Sequence, residues 1–192
     1  MSTDVRKEAD APDLLQARSS PSFAQLEVQT EINLFLAHEA ELLDSRQYGD
    51  WLEFVADDYA YQVPVPRTPD NPFAPHYDDR TMLIDESKWS LTEQWFKRLA
   101  PDLYELSWAE NPPVRFRHFV SNVRAYLTEE PETYDVRSNV MLVATRQSLK
   151  PKYVTGQRFD SLRRQDGQLL LARRWVVLDQ VLIDFPQLRM LL

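Results

Sequence analysis

Residues 134–181, with the sequence YDVRSNVMLVATRQSLKPKYVTGQRFDSLRRQDGQLLLARRWVVLDQV, are the stretch that decides the fold. They contain three segments, 134–146, 153–164 and 169–181, that are rich in β-branched and aromatic residues and therefore predict three β-strands. The last two segments are joined through Asp166-Gly167, and an Asp-Gly pair supplies the positive φ angles that a two-residue hairpin turn requires. The stretch therefore predicts an antiparallel meander.

The predicted strands carry apolar residues on both of their faces. In the first strand, Val140 and Leu142 lie on one side and Met141 lies on the other. An antiparallel sheet with one face in water alternates apolar and polar residues more strictly than this. We therefore expect both faces of the sheet to be covered, one by helices of this chain and the other by a partner.

The composition excludes several classes of protein and site. The chain has 192 residues, a length that suits one domain. It has no cysteine, which excludes disulfides, thiolate nucleophiles and cysteine-ligated zinc or iron–sulfur sites. Its net charge of -8 argues against nucleic acid and anionic membranes as partners, because both attract concentrated Lys and Arg. With neither a membrane-spanning apolar run nor a secretory signal, we expect a cytoplasmic protein.

The N-terminal part of the chain divides into an arm and a helix. Residues 1–22 are polar and lack a periodic pattern, so we expect a flexible N-terminal arm, and residues 23–192 are predicted to form a single domain. Ser22-Phe23-Ala24-Gln25 has the form of a capping box, which predicts the start of a helix. The apolar stripe of this helix includes Ile32 and Leu36.

Glu39 lies in the middle of that stripe, and Arg46 returns to nearly the same face of the helix. One interpretation is a half-buried carboxylate with a raised pKa, which would act as a general base. The other is a carboxylate paired with an arginine, because an isolated buried charge is costly.

The middle of the chain predicts shorter elements. A second helix is predicted over 48–55, ended by Asp57-Asp58. A strand over 59–65 follows, and we expect it at a sheet edge because Pro64 cannot donate a hydrogen bond to a ladder. The proline-rich residues 64–75 are predicted to lie on a surface without regular structure.

The rest of the chain completes the predicted architecture. Asp85 or Ser87 is expected to cap a third helix that runs to Leu99, and a strand is predicted over 114–127. The apolar terminus Met190-Leu191-Leu192 is expected to be docked on the domain. This order predicts an α+β domain in which helices cover one face of a strongly bent antiparallel sheet.

The three histidines, His38, His76 and His118, show none of the short spacings typical of metal motifs. His118 lies in the strand predicted before the meander, where it could point into the bent sheet. With Glu39 or Asp58 beside it, His118 would form a proton-transfer pair. The alternative is a core histidine bonded to a neighbouring carbonyl or carboxylate.

Arginine is concentrated in the strand-rich half, whereas acidic residues dominate the first 110 residues. Arginine forms bidentate, partly buried pairs that suit subunit contacts. The alternative is a set of surface pairs within one sheet, each of which contributes little. These arginines are Arg115, Arg117, Arg124, Arg137, Arg146, Arg158, Arg163, Arg164, Arg173 and Arg174.

Several short motifs occur in order along residues 25–192. They are EAELLDSR at 39–46, WAENPP at 108–113, RH at 117–118, SNV at 121–123, RSNV at 137–140, GQR at 156–158, DSLRR at 160–164, RR at 173–174 and VLD at 177–179. In this order they resemble the small (β) subunit of aromatic-ring-hydroxylating dioxygenases, the Rieske-type non-haem iron oxygenases for naphthalene, biphenyl, benzoate and related rings.

The resemblance implies an α+β fold of the cystatin-like, nuclear-transport-factor-like cone type, with a curved mixed-to-antiparallel sheet wrapped around N-terminal helices. It also implies an α3β3 hexamer in which β subunits form the stem. The Rieske [2Fe-2S] cluster and the mononuclear iron would belong to the α subunit, which would chiefly determine the substrate and receive electrons from a ferredoxin and a reductase. The resemblance carries no catalytic, cofactor-binding or metal-binding residue onto this chain. The arm and the loop 64–85 are the parts least like the family.

The main functional expectation is thus a non-catalytic structural β subunit. The alternative is a stand-alone dehydratase, isomerase or cyclase of the cone fold that uses His118 with Glu39 or Asp58. A third possibility is a small-molecule binding module with a pocket but no acid–base pair. Both alternatives require a pocket inside the cone, and a cone filled by Phe, Trp and Leu would contradict the enzyme.

Overall fold

The computed structural model describes residues 22–71, 73–99, 112–147, 149–184 and 190–192, and the predicted arm falls almost wholly outside them. Two helices come first, and strands dominate the rest of the chain. The elements are α1 (Leu26–Asp44), α2 (Tyr48–Leu52), β1 (Val55–Pro66), β2 (Tyr77–Ser87), α3 (Lys88–Ser90), β3 (Arg115–Leu127), β4 (Thr133–Thr145), β5 (Lys152–Gln165) and β6 (Gln168–Leu178).

The strands form one curved, open sheet in the order β2-β1-β6-β5-β4-β3. All neighbouring strands are antiparallel except β1 and β6, which are parallel. The predicted α+β class and curved mixed sheet are therefore confirmed. The helix α1 covers the inner face of the sheet, where Ile32 and Leu36 pack in one core with Val136, Leu142 and Leu171.

The predicted meander is confirmed by β4, β5 and β6, each of which matches its predicted segment to within a few residues. Asp166 and Gly167 form the turn between β5 and β6, with φ of 51° and 84°. Gln165 and Gln168 face each other across it. The Asp-Gly pair thus has the two positive φ angles that this hairpin requires.

The predicted capping box at the start of α1 is wrong. The helix begins one turn later, at Leu26, and its N-cap Gln25 makes no side-chain capping bond. Ser22 instead accepts a hydrogen bond on its carbonyl oxygen from the Leu127 N–H at 2.9 Å, and the Ala24 N–H donates to Ala125 O at 3.0 Å. These residues extend along the free edge of β3 because pairing with a strand satisfies their backbone groups better than an isolated cap.

The prediction that the strand after α2 lies at an edge is also wrong, because β1 lies between β2 and β6. The predicted second helix ends at Leu52, and the predicted helix terminator Asp57-Asp58 lies within β1. Parallel pairing of β1 with β6 extends only to Gln62, and pairing with β2 shifts register on both sides of Pro64. Pro64 is therefore tolerated at an irregularity beyond the doubly paired part of the strand.

The edge strands are β2 and β3. The strand β2 was not predicted, because its residues fall mostly in the predicted loop 64–85. The prediction that residues 64–75 lack regular structure is wrong at its start, where Pro64 and Pro66 belong to β1. Ser87 is the N-cap of α3, as predicted, and forms a capping box with Ser90. The helix continues through a π turn (Leu91–Trp95) and a 3-10 turn (Phe96–Leu99).

The free edge of β3 is covered by other parts of the chain. The Ala125 N–H donates to Gln29 Oε1 at 2.8 Å, and the Gln29 side chain donates to Val123 O at 3.3 Å. Further along, the His118 N–H donates to Asp44 Oδ1 at 3.1 Å. Residues 22–24 and α1 therefore occupy much of the hydrogen-bonding capacity of this edge.

The C-terminal residues are docked in the core, as predicted. Met190 and Leu192 are buried. The Tyr61 hydroxyl donates to Met190 O at 2.7 Å and accepts from the Leu192 N–H at 3.2 Å. We call residues 190–192 the C-terminal tail.

The outer face of the sheet carries exposed apolar side chains. Phe119 faces Met141 across β3 and β4, and Val143 faces Tyr153 across β4 and β5. Phe119, Met141 and Tyr153 are 50%, 37% and 65% exposed. We call the side chains of Phe119, Met141, Val143 and Tyr153 the outer patch. That a partner covers this face stays a prediction.

Gly156 on β5 lies close to the backbone of β6. A Cβ at this position would lie 2.6 Å from the Val177 carbonyl oxygen, whereas a Cβ at Gly49 in α2 would meet no atom within 4 Å. We expect Gly156→Ala to lower the free energy of unfolding by about 1–3 kcal/mol through overpacking. The control Gly49→Ala should raise it by about 0.5–1 kcal/mol, since alanine favours helix. Urea unfolding of both variants measures the difference, and equal midpoints would contradict the close approach.

Candidate functional site

Four charged side chains meet inside the curved sheet. Arg158 and Asp160 are two residues apart on β5, so both point inward, and Asp160 faces Arg174 on β6. Glu39 reaches them from the apolar stripe of α1. All four side chains are buried. We call them the ion cluster.

Arg174 is the centre of the ion cluster. Its Nη1 and Nη2 donate to Glu39 Oε1 and Oε2 at 2.9 and 2.8 Å. Its Nε and Nη2 donate to Asp160 Oδ1 and Oδ2, both at 2.9 Å. Arg158 Nη1 adds a longer contact of 3.4 Å to Glu39 Oε2, and Trp51 Nε1 donates to Glu39 Oε1 at 3.1 Å. One guanidinium therefore holds two carboxylates by paired, charge-assisted bonds.

The ion cluster keeps Glu39 ionised. Burial alone would raise the pKa of Glu39, but the charges of Arg174 and Arg158 and the hydrogen bonds of Arg174 and Trp51 outweigh it and lower the pKa to about 2. The predicted general base with a raised pKa is therefore wrong, and the arginine-paired interpretation is confirmed. Arg46 is not this partner, because its Nη2 donates to Val114 O at 2.6 Å.

His118 is held by partners on two sides. Its Nδ1 lies 2.7 Å from Asp44 Oδ1 at the end of α1, and its Nε2 lies 2.7 Å from Leu191 O in the C-terminal tail. Only 4% of the His118 side chain is exposed. Arg117 Nη1 also donates to Asp44 Oδ2, at 3.0 Å. The interpretation of His118 as a core histidine bonded to a carboxylate and a carbonyl is confirmed.

The proposed proton-transfer pairs are not assembled. Glu39 is bound by Arg174, and Asp58 accepts two bonds from Arg163, at 2.8 and 2.5 Å. The hydrogen bond from Arg163 lowers the pKa of Asp58. Asp44, the last residue of α1, is the partner of His118 and was not among the predicted candidates.

Asp58 allows a test of how little an exposed ion pair contributes to the free energy of unfolding. The Asp58 and Arg163 side chains are 65% and 35% exposed. We expect Asp58→Asn to change the free energy of unfolding by less than about 1 kcal/mol, since water and salt screen such pairs. Urea unfolding at low and high salt checks this, and a loss comparable with that of a buried pair would show that Asp58 has a further role.

The space left beside His118 is small and apolar. The cavity has a volume of about 40 Å³, whereas pockets for drug-sized ligands measure roughly 300–1,000 Å³. It is lined by Leu43, Tyr48, Trp95, Phe96, Leu99, Phe116, His118, Leu142, Met190 and Leu191.

An open groove of about 590 Å³ also runs between α1 and β3. The residues that line it include Asn33, Ala37 and Asn122. The ionisable residue in this lining is His118. Both ring nitrogens of His118 already have partners. The groove therefore presents no acid–base pair to solvent.

The described residues form neither a metal-binding cluster nor a membrane-spanning helix. Among the described residues, no group of three or more His, Cys, Asp and Glu side chains could hold a metal ion. His38 lies on α1, and its Nδ1 is 3.6 Å from Glu41 Oε2. No helix in the described ranges is both long and apolar enough to cross a bilayer.

The arginines of the strands have mixed roles. Arg158 and Arg174 lie in the core, and Arg164 pairs with Glu31 on α1 at 2.7 and 3.0 Å. These pairs lie within the chain, but they are not the predicted surface pairs within one sheet, because Arg158 and Arg174 are buried and both Glu39 and Glu31 lie on α1. Arg115 is exposed on the outer face of β3. Subunit contacts through such arginines stay a prediction.

The curved open sheet around α1, with charges neutralised inside it, defines an α+β protein of the cystatin-like cone class. The family described as the ring-hydroxylating β subunit matches residues 38–184. The chain belongs to the family of β subunits of ring-hydroxylating dioxygenases.

Three known proteins illustrate the similarity. The β subunit of 3-phenylpropionate/cinnamic acid dioxygenase from Photorhabdus laumondii is 31% identical over 170 residues, covering 86% of this chain and 92% of that protein. A naphthalene 1,2-dioxygenase structure with bound indole is 26% identical, with a TM-score of 0.72 and coverage of 86% of both chains. The β subunit of benzoate 1,2-dioxygenase from Burkholderia mallei shares the fold, at 21% identity and a TM-score of 0.60, with coverage of 78% and 89%.

Family membership establishes two further points. The chain is a subunit of an oxidoreductase, and its partner is an α subunit. The expected resemblance is confirmed, and the stand-alone enzyme of the cone fold is not favoured.

Proposed function

We propose that this chain is the non-catalytic, structural β subunit of the terminal oxygenase component of a multicomponent aromatic-ring-hydroxylating dioxygenase. The complex would dihydroxylate an aromatic ring in aromatic hydrocarbon catabolism in the cytoplasm. The observation that carries the proposal is that, among the described residues, the buried carboxylates Glu39 and Asp160 and the imidazole of His118 all have partners within the chain.

The contacts of the described residues support a scaffold role. Glu39 and Asp160 are held by Arg174, and His118 is held between Asp44 and the C-terminal tail. A general base must be within hydrogen-bond reach of a substrate proton, and these groups already face protein partners. Apart from His118, aromatic and aliphatic side chains line the cavity of about 40 Å³.

The chain's residues do not fit the cofactors of such a complex. A Rieske cluster requires two cysteines and two histidines, and this sequence has no cysteine. A mononuclear iron site requires two histidines and a carboxylate facing one centre, and the described residues contain no such group. We therefore assign both the cluster and the iron to the α subunit, and no catalytic, cofactor-binding or metal-binding residue to this chain.

The proposed assembly is an α3β3 hexamer that receives electrons from a ferredoxin and a reductase. The outer patch supports association, because exposed apolar side chains grouped on one face are typical of subunit contacts. The names of the relatives, which include phenylpropionate, naphthalene and benzoate dioxygenases, support an aromatic acid or an aromatic hydrocarbon as the substrate class.

Co-expression with the α subunit encoded in its genomic neighbourhood tests the proposal. We expect a complex whose mass corresponds to three copies of each subunit, with iron and cluster absorbance in the complex and neither in the β chain purified alone. Tightly bound iron in the chain alone would contradict the proposal, as would a monomer that turns over a substrate without a partner.

A further inference from the structure

The outer patch has arginines on two sides of it. Residues that face each other across antiparallel strands lie on the same face of a sheet. Arg117 pairs with Val143 of the outer patch, and further along the same two strands Arg124 pairs with Arg137. Arg117 donates to Asp44 and is nevertheless 68% exposed. We call Arg117, Arg124 and Arg137 the arginine rim.

The arginine rim is held in a position that favours a partner's carboxylates. Arg124 and Arg137 lie directly opposite each other, and like charges in this arrangement repel. The Arg137 guanidinium lies 5.5 Å from the ring centroid of Tyr126 and 5.6 Å from that of Phe159, and both contacts hold it over the outer face. No carboxylate of the described residues pairs with Arg124. An apolar centre that contains aromatic residues and Met, beside arginines, is typical of protein interfaces.

The charge of this face is opposite to that of the chain as a whole. The chain has a net charge of -8, whereas Asp135 is the one acidic residue of β3 and β4. A two-fold contact of the outer face with itself would bring two arginine rims together, and such a meeting of like charges is unfavourable. The surface that complements the outer face is therefore a different and acidic one.

This chain carries such a surface at the end of β3. The apolar side chains of Phe23, Leu26 and Leu127 are exposed there. Phe23 stacks on Tyr126 with ring centroids 5.4 Å apart, and its backbone pairs with the same strand. Exposed carboxylates adjoin these apolar residues in the sequence. They are Glu27, Glu129 and Glu130. We call these three apolar and three acidic residues the acidic end.

We propose that the outer patch and arginine rim of one copy of this chain dock on the acidic end of a second copy. The apolar residues of the two surfaces pack together, and the arginines donate charge-assisted hydrogen bonds to the carboxylates around them. Because two different surfaces meet, the contact is heterologous, repeats from copy to copy and closes a ring where the rotation allows it. The inference rests on the proposed function, in which three copies of this chain associate, and it assigns the surfaces that join them.

Sedimentation equilibrium of the full-length chain, purified without an α subunit, tests this contact. We expect a reversible association that continues beyond a dimer and weakens with added salt, which screens the arginine–carboxylate contacts. Arg124→Glu and Glu130→Arg should each raise the dissociation constant by at least about ten-fold, because like charges then meet. A mixture of the two variants should associate again, since the first keeps a native acidic end and the second a native arginine rim.

The matched controls are Arg80→Glu and Asp79→Arg. Both residues are exposed on β2, the edge strand farthest from β3, and their substitutions make the same changes of charge. The controls should associate like the wild type.

A wild-type chain that stays monomeric, or that stops at a two-fold dimer, would overturn the proposal whether or not the variants fold. The failure of this contact is distinguishable from failure of the proposed function. A monomeric chain that still forms an iron-containing complex with the α subunit, and loses it in Arg124→Glu, would assign the outer face to α. That result would overturn the contact between copies and leave the structural β subunit intact.

Discussion

Replacing Arg174 with methionine is expected to lower the free energy of unfolding by about 3–5 kcal/mol, which would make it the most damaging single change in the ion cluster. The physical reason is that methionine fills similar space but leaves Glu39 and Asp160 as buried carboxylates without their main partner. Arg158 contacts Glu39 only at 3.4 Å and cannot replace four bonds of 2.8–2.9 Å. Urea unfolding near neutral pH measures the loss.

The matched control is Arg115→Met on the exposed face of β3, which should stay within about 0.5 kcal/mol of the wild type. The Arg174→Met variant should also recover part of its deficit in mild acid, because protonation removes the uncompensated charge of Glu39. A deficit that is equal at all pH values would mean that lost packing, and not electrostatics, is responsible.

Acid should weaken the fold through Glu39. The ion cluster lowers its pKa to about 2 in the folded protein from an ordinary value of 4.5, so the proton binds more tightly to the unfolded chain. The stabilisation is therefore complete above about pH 5 and is lost as the pH falls from 4.5 towards 2. The pKa difference corresponds to about 3 kcal/mol for this one group. Urea midpoints measured at a series of pH values down to about pH 3 test it.

The control for this prediction is substitution on the same helix. Glu39→Gln should flatten the acid dependence of stability, although the variant starts from a lower value, whereas Glu41→Gln at an exposed position should leave the slope unchanged. If the slope of Glu39→Gln equals that of the wild type, the ion cluster does not hold Glu39 ionised.

The parts of the fold that the sequence predicts correctly depend on local patterns. The strands β4, β5 and β6 follow from β-branched and aromatic runs, and the turn follows from Asp166-Gly167, which supplies positive φ without help from the rest of the chain. The start of α3 at Ser87 follows from its capping residue in the same way. Such signals do not require knowledge of which element lies next to which.

The wrong predictions concern residues whose structure is determined by elements distant in the sequence. Pro64 is typical of an edge strand, yet β1 gains two neighbours because its irregular end lies beyond the parallel pairing with β6. Ser22 has a capping pattern, yet the free edge of β3 offers its backbone a better partner. Neither outcome can be read from neighbouring residues, since each depends on a strand that comes at least 60 residues later in the chain.

In the candidate site, too, local sequence patterns predict some features, whereas others depend on contacts between distant elements. The position of Glu39 in an apolar stripe correctly predicts a buried carboxylate that needs a cation. The identity of the cation depends on sheet register, which brings Arg174 opposite Asp160 and beneath α1. The pairing of His118 with Asp44 likewise depends on where α1 ends over β3.

The covered edge of β3 limits how this protein can associate. Exposed strand edges invite strand addition by other chains, which leads to domain swapping and fibrous aggregation. Because Gln29, Asp44 and residues 22–24 already engage this edge, an incoming strand would first have to displace them. Oligomers of the β subunit are thereby directed towards contacts between side chains and away from continuous intermolecular sheets at β3.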